Sequence, residues 1–223
     1  MSRVGTPRRG VRGQRGAPSL PVKFERRVPP VIWISQAERL RYSIVMQSGR
    51  RIVNIALIGF MGAGKTSVGR LVAEQLGFDY LDTDEMIQSH TGRTITDIFV
   101  KDGEPVFRKL EEQIVAELTA HERTVISTGG GLPVNPKNLA SLKTHALVVC
   151  LWASPGKIWG RVRNQTHRPL LNAPDPKGKI RELLTAREPF YRQADVLLNT
   201  DSRPVREVAQ QVIHQFKLAA SKR

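Results

Sequence analysis

Gly59-Phe60-Met61-Gly62-Ala63-Gly64-Lys65-Thr66 is the stretch that decides the fold of this chain. An apolar run at 53–58 leads into it, and a helix-patterned segment at 65–76 leads out, with Val68, Leu71, Val72 and Leu76 on one face. The glycines permit backbone conformations closed to other residues, so successive N–H groups can wrap around an anionic phosphate. The start of the helix adds its positive end. Lys65 is placed to reach the outer phosphates of a nucleotide, and the Thr66 hydroxyl suits a magnesium ion. Set between a strand and a helix, these eight residues predict a nucleotide-binding phosphate loop rather than a glycine-rich turn with a surface lysine.

Working outward, strands and helices alternate. Strands are expected at 78–82, 124–128, 146–152 and 196–199, beside the first at 53–58. Helices are expected at 65–76, with Gly77 as its stop, and at 95–101, 155–165, 179–192 and 205–216. Another opens at Pro105 and reaches about residue 120, with Phe107, Leu110, Ile114 and Leu118 as its buried stripe. The last helix carries Val205, Val208, Val212 and Phe216 on its inner face. A turn-rich stretch fills 166–178. This alternation predicts an α/β fold with a parallel sheet covered on both faces. Ligands of such sheets gather beyond the carboxyl ends of the strands, which places 59–66, 82–84, 129–131 and the loop after Asn199 along one rim.

The 223 residues suit one domain with a sizeable core and some excess. No apolar run approaches the ~20 residues that span a bilayer. The single cysteine, Cys150, excludes an internal disulfide, and an apolar setting gives it no catalytic role; a reducing compartment is expected. The net charge of +15 is unevenly spread: residues 1–51 carry 12 Lys and Arg against two acids, and the remainder 23 against 18. The Arg-, Gly- and Pro-rich residues 1–28 lack periodicity and are expected to be disordered. An organelle transit peptide, a nonspecific nucleic-acid or membrane contact and an inert tail compete there, with Met46 as a possible natural start; the inert tail is preferred.

The acceptor side is less explicit. Asp82-Thr83-Asp84 follows the second strand and faces the phosphate loop. One carboxylate suits magnesium, and the other suits an attacking hydroxyl as base; an Asx-type turn capping a helix is the plain alternative. The third strand ends Ser127-Thr128 instead of in an aspartate, which makes Asp82 the better metal candidate. Arg108 precedes Glu111 by three residues, so the two can pair on one helix. Arg168 and Arg187 complete the set, although any single arginine is more often a solvated charge.

The phosphate loop, Asp-x-Asp (82–84), Gly-Glu-Pro-Val-Phe-Arg (103–108), Gly-Gly-Gly (129–131), Arg-Pro-Leu-Leu (168–171) and Arg-Glu-Pro-Phe-Tyr (187–191), in this order, closely resemble the shikimate kinase family over residues 52–217. The resemblance implies a three-layer, nucleoside-monophosphate-kinase-like P-loop fold with strand order 2-3-1-4-5. It implies transfer of the γ-phosphoryl of ATP to the 3-hydroxyl of shikimate. Gly62, Ala63, Gly64, Lys65, Thr66 and Ser67 would then cradle ATP, with Thr66 and Asp82 on Mg2+. Asp84 would bond the ring hydroxyls and act as base. Arg108 and Arg187 would hold the substrate carboxylate, beside Gly129, Gly130 and Gly131. Arg168, from a lid at 166–178, would join Lys65 in stabilising the transferred phosphoryl group. Glu111 would orient Arg108, and Arg203 with Pro204 would meet adenine. The implied organisation is a basic extension (1–51), a kinase domain (52–218, substrate segment about 84–116) and a short basic tail (219–223). A cytoplasmic monomer that works on shikimate and ATP is expected, its core needing neither nucleic acid nor membrane.

Overall fold

A computed structural model describes residues 50–163 and 174–221. Its elements run β1 (Asn54–Ile58), α1 (Lys65–Leu76), β2 (Asp79–Asp82), α2 (Thr83–Thr91), α3 (Ile95–Lys101), α4 (Gly103–Glu117), β3 (Thr124–Ser127), α5 (Pro136–His145), β4 (Ala146–Trp152), α6 (Pro155–Val162), α7 (Pro176–Tyr191), β5 (Val196–Asn199) and α8 (Val205–Ala220). Short 3-10 turns sit at Leu118–Ala120 and Leu132–Val134.

β1 is buried at every position, which a strand achieves only when both sheet faces are covered. It lies at the centre of an all-parallel sheet of order β2-β3-β1-β4-β5, as the resemblance implied. The two-residue period of a strand sends alternate side chains to opposite faces. Ile55 and Leu57 join Leu147, Val149 and Leu151 under Val68, Val72 and Ala73 of α1 and Val208, Val212 and Phe216 of α8. Ala56 and Ile58 join Val148 and Cys150 on the other face, against Ile87, Phe107, Ile114, Leu142, Ile158 and Tyr191 from the remaining helices. With every crossover parallel, all strands point their carboxyl ends at one rim.

α1, α3, β4 and β5 take the predicted bounds, and Gly77 closes α1 with φ 63°. Other expectations need correction. Residues 83–91 and 136–145 are helical, although neither segment was predicted so. α7 starts at Pro176, not 179, because Asp175 accepts the Gly178 N–H at 2.8 Å and proline fits a first helical turn; residues 176–178 therefore do not belong to a lid loop. The predicted helix over 155–165 ends, where described, at Val162. α8 continues to Ala220, and its Val205 is exposed at the mouth of a cleft rather than turned to the core. In α4 the buried stripe takes Glu111 and Val115 with Phe107 and Ile114, whereas Leu110 is only partly covered.

Candidate active site

The loop between β1 and α1 floors a cleft of about 540 Å³ at the carboxyl rim. Gly62 and Gly64 stand at φ 73° and 102°, backbone that favours glycine, and together they turn the chain into α1. Gly64 offers α1 no side-chain cap, and the first turn contains no acid, so its leading N–H groups suit an external anion. Lys65 is buried and donates from Nζ to the carbonyls of Gly59 (2.9 Å) and Phe60 (3.1 Å). Met61, Ala63, Thr66 and Ser67 complete this wall of the cleft.

Opposite stand Asp82 and Asp84, both lining the cleft. Asp82 ends β2 and is the N-cap of α2: its Oδ1 accepts the Asp84 N–H at 3.0 Å. The Asx cap is thus present, and it engages one oxygen alone: the second, Oδ2, accepts a long 3.4 Å bond from Tyr80. Thr66 is exposed on the same cleft. A hydroxyl and a carboxylate facing one anion-binding loop are oxygen donors of the kind Mg2+ prefers, so the residues fit that ion.

Beyond them, Gly129-Gly130-Gly131 follows β3, with the Gly129 N–H donating to Thr83 Oγ1 at 2.9 Å. A side chain would crowd the first and third of these glycines, whereas at Gly130 it would make ordinary contacts. A Cβ on Gly129 would lie 2.7 Å from Asp84 Oδ1, one on Gly130 3.6 Å from Arg187 Nη1, and one on Gly131 2.7 Å from Arg108 Nη1. One glycine run therefore gathers Asp84, Arg187 and Arg108. Arg108 Nη1 donates to Glu111 Oε2 at 2.6 Å, as the spacing predicted, and its Nη2 donates to Glu104 Oε1 at 2.6 Å. Burial opposes the Arg108 charge, but Glu111 and Glu104 outweigh it and hold the guanidinium above its ordinary pKa. Burial likewise pushes the Glu111 carboxyl up, against the pull of Arg108 and with Asp84 adding to the rise. Arg187 lies over the Phe60 ring, 5.5 Å from its centroid.

At the far end, Arg203 lines the cleft and donates to Gln211 Oε1 at 2.6 Å. Arg161 is a cleft residue that sequence reasoning passed over. It donates to the Gly62 carbonyl (3.0 Å), Thr200 Oγ1 (3.2 Å) and the Thr200 carbonyl (2.6 Å), tying the phosphate loop to the loop after β5. Nothing local in the sequence separates it from Arg163; only the fold does. Thr200, also on the cleft, was missed for the same reason. Arg168 and residues 166–173 of the expected lid lie outside the described residues. Cys150 sits beneath the loop, and burial pushes its thiol up to about 12, which leaves it inert as a nucleophile.

Comparison with known proteins identifies the family. The shikimate kinase family profile matches residues 61–217. The shikimate kinase of Thermodesulfovibrio yellowstonii is 45% identical over 164 residues, spanning 74% of this chain and 95% of its own. The solved shikimate kinase of Acinetobacter baumannii, in complex with shikimate, superposes with a TM-score of 0.72 at 38% identity, over 80% of this chain and 99% of its own. That of Aquifex aeolicus superposes with a TM-score of 0.65 at 35% identity, over 74% and 96%. With its central phosphate loop, its 2-3-1-4-5 sheet and a family match across most of its length, the chain belongs to the shikimate kinase family.

Proposed function

We propose that the cleft carries out Mg-ATP-dependent phosphorylation of the 3-hydroxyl of shikimate, giving shikimate 3-phosphate and ADP, the step of this family in aromatic amino-acid biosynthesis. The observation that carries the reading is the glycine run, which brings one carboxylate and two arginines together beside a phosphate loop. An acceptor with a hydroxyl and a carboxylate needs such a set: a base for the first and planar, bidentate cations for the second.

The positions of the side chains support one division of labour. Gly62 to Ser67 hold the nucleotide phosphates through backbone N–H groups. Lys65 exchanges its two loop carbonyls for phosphate oxygens, which are stronger acceptors because they are charged. Thr66 and Asp82 hold Mg2+, which when bound neutralises charge on the transferred group. Asp84 takes the proton of the attacking hydroxyl, and Arg108 and Arg187 hold the carboxylate, with Glu111 directing Arg108. Arg161 and Arg203 face the nucleoside end. Arg168 is assigned to the phosphoryl group on the resemblance of its Arg-Pro-Leu-Leu motif alone. The kinase domain is assigned to 52–218, as a monomer, with residues 1–51 as an extension to it. Among the described residues no helix is long and apolar enough to cross a membrane. A single, buried cysteine supports a reducing setting, and the cytoplasm is assigned on that ground.

The test is ATP turnover coupled to ADP detection. Shikimate should stimulate ADP release strongly, and Asp84→Asn should abolish most of that stimulation, by about 10²–10⁴-fold, while ATP affinity is kept. No stimulation by shikimate rejects the activity, and a fully active variant rejects Asp84 as the base.

A further inference from the structure

Tyr191 ends α7 wholly buried, yet its hydroxyl meets the acceptor side. It donates to the Gly130 carbonyl at 2.6 Å, and Arg187, one turn earlier on the same helix, brings its Nη1 within 3.6 Å of where a Cβ on Gly130 would stand. Residues four apart share a helix face. Burial raises the phenol's pKa, so the donated proton stays in place throughout the working range.

Three successive glycines have the widest backbone freedom of any tripeptide, so their conformation must be imposed from outside. The carbonyls of Gly129 and Gly131 are held by the N–H groups of Leu132 (3.2 Å) and Val134 (3.0 Å). The middle carbonyl is held by Tyr191. Because a trans peptide is planar, fixing the Gly130 oxygen also fixes the Gly131 N–H on the opposite side of the chain.

We infer that Tyr191 is a positioning residue for shikimate: its hydroxyl locks the Gly130 peptide, beside which the Arg187 guanidinium stands, into one arrangement before the substrate arrives. This rests on the proposed role of Arg187 as a carboxylate ligand. Nothing in the motif marks the tyrosine as more than a core aromatic. Its hydroxyl, however, is spent on the Gly130 carbonyl, 61 residues away along the chain, and not on the helix that carries it.

The experiment uses the full chain and compares Tyr191→Phe, Arg187→Ala and the double variant by shikimate calorimetry and steady-state kinetics. Tyr191→Phe should raise the shikimate Kd and KM about tenfold, with kcat and the ATP KM unchanged, as expected when one buried carbonyl loses its hydrogen-bond donor. A merely structural role would lower the melting temperature without that split. Adding Tyr191→Phe to Arg187→Ala should weaken shikimate binding by much less than tenfold, because the positioned group is already gone. If Arg187→Ala weakens binding and Tyr191→Phe does not, or if the two add fully, the inference falls. If Arg187→Ala leaves binding unchanged, the carboxylate reading falls and the inference falls with it. Should Tyr191→Phe not fold, amide exchange at Gly131 of the unaltered chain decides: protection already present without shikimate supports the lock, and protection that appears only with shikimate overturns it.

Discussion

Gly129 shows how much a missing side chain can specify. Asp84 lies in the first turn of α2, on a short side chain whose backbone N–H is already committed to Asp82, so its carboxylate has little room to withdraw. A methyl group on Gly129 would stand 2.7 Å from Asp84 Oδ1 and 3.4 Å from Glu111 Oε1. The collision has to be relieved by moving Asp84, and a misplacement of about 1 Å at a reacting group is enough to cost ~10²-fold in rate. Gly129→Ala should therefore lower kcat about 10²-fold, with the ATP KM and the melting temperature little changed. Steady-state kinetics beside thermal melts check this, and a full kcat would show that the carboxylate tolerates displacement. Asp84, Arg108 and Arg187, proposed for the acceptor side, were legible as candidates in the sequence because acid and guanidinium groups in a fixed order resemble a known site. Arg161, Thr200 and Tyr191 were not, because their roles lie in contacts 39 to 99 residues away along the chain, which no local pattern records.

Elements were legible where their ends are chemically marked. α1 runs from a glycine-rich turn to a glycine in left-handed backbone, and α3 has Thr94 accepting the Asp97 N–H at 3.1 Å. α5 also carries such a signal, Asn135 capping and Pro136 at its start, but its few apolar residues hid it. α2 was masked by its own cap, since Asp82-Thr83-Asp84 reads equally as a turn and only Thr83 and Ile87 of the helix are buried. Two glycines at the ends of elements separate the physical reasons for glycine. Gly77 has φ 63° with nothing within 4 Å of a Cβ, so Gly77→Ala meets only the left-handed backbone penalty and should cost about 1–2 kcal/mol. Gly59 has φ 136°, and a Cβ there would lie 2.3 Å from the Leu151 carbonyl oxygen of the neighbouring strand. Backbone cannot swing aside as a side chain does, so strain and overpacking add, and Gly59→Ala should cost about 3–5 kcal/mol. Urea denaturation of both variants checks the order, and equal losses would show that backbone conformation alone selects glycine at Gly59.

On the scale of the whole molecule, the sheet separates catalysis from anchoring. The carboxyl ends of the strands carry the site, and the amino ends carry buried polar ties. That division was legible from the alternation of elements, whereas the strand order came only with the family resemblance, because no strand's composition names its neighbour. At the amino end Asp195 accepts from Arg50 (2.9 Å) and from the Val148 N–H (2.9 Å), and the wholly buried Asn54 joins β1 to β3 and α5. Asn54 Oδ1 accepts the Thr124 N–H at 2.9 Å, which fixes the amide so that Nδ2 donates both to the His121 carbonyl (2.6 Å) and to His145 Nδ1 (2.9 Å). His145 Nδ1 must then be an acceptor, and a proton there would set two donors against each other. Burial first, and then the Arg50 and His121 charges, lower the His145 pKa below its ordinary 6.5. As pH falls through about 6.5 the unfolded chain takes up a proton that the folded chain refuses, so the unfolded state binds more protons and stability falls with pH. One such proton contributes a slope of up to about 1.4 kcal/mol per pH unit, present from the unfolded pKa down to the folded one. The urea midpoint should drop between pH 7 and pH 5, and His145→Gln, whose amide oxygen can still accept from Asn54 but does not titrate, should flatten that drop. Identical slopes for the two proteins would place the acid sensitivity in other groups, while a flattened slope with unchanged shikimate-dependent turnover at pH 7 would locate it at the anchoring end, away from the chemistry.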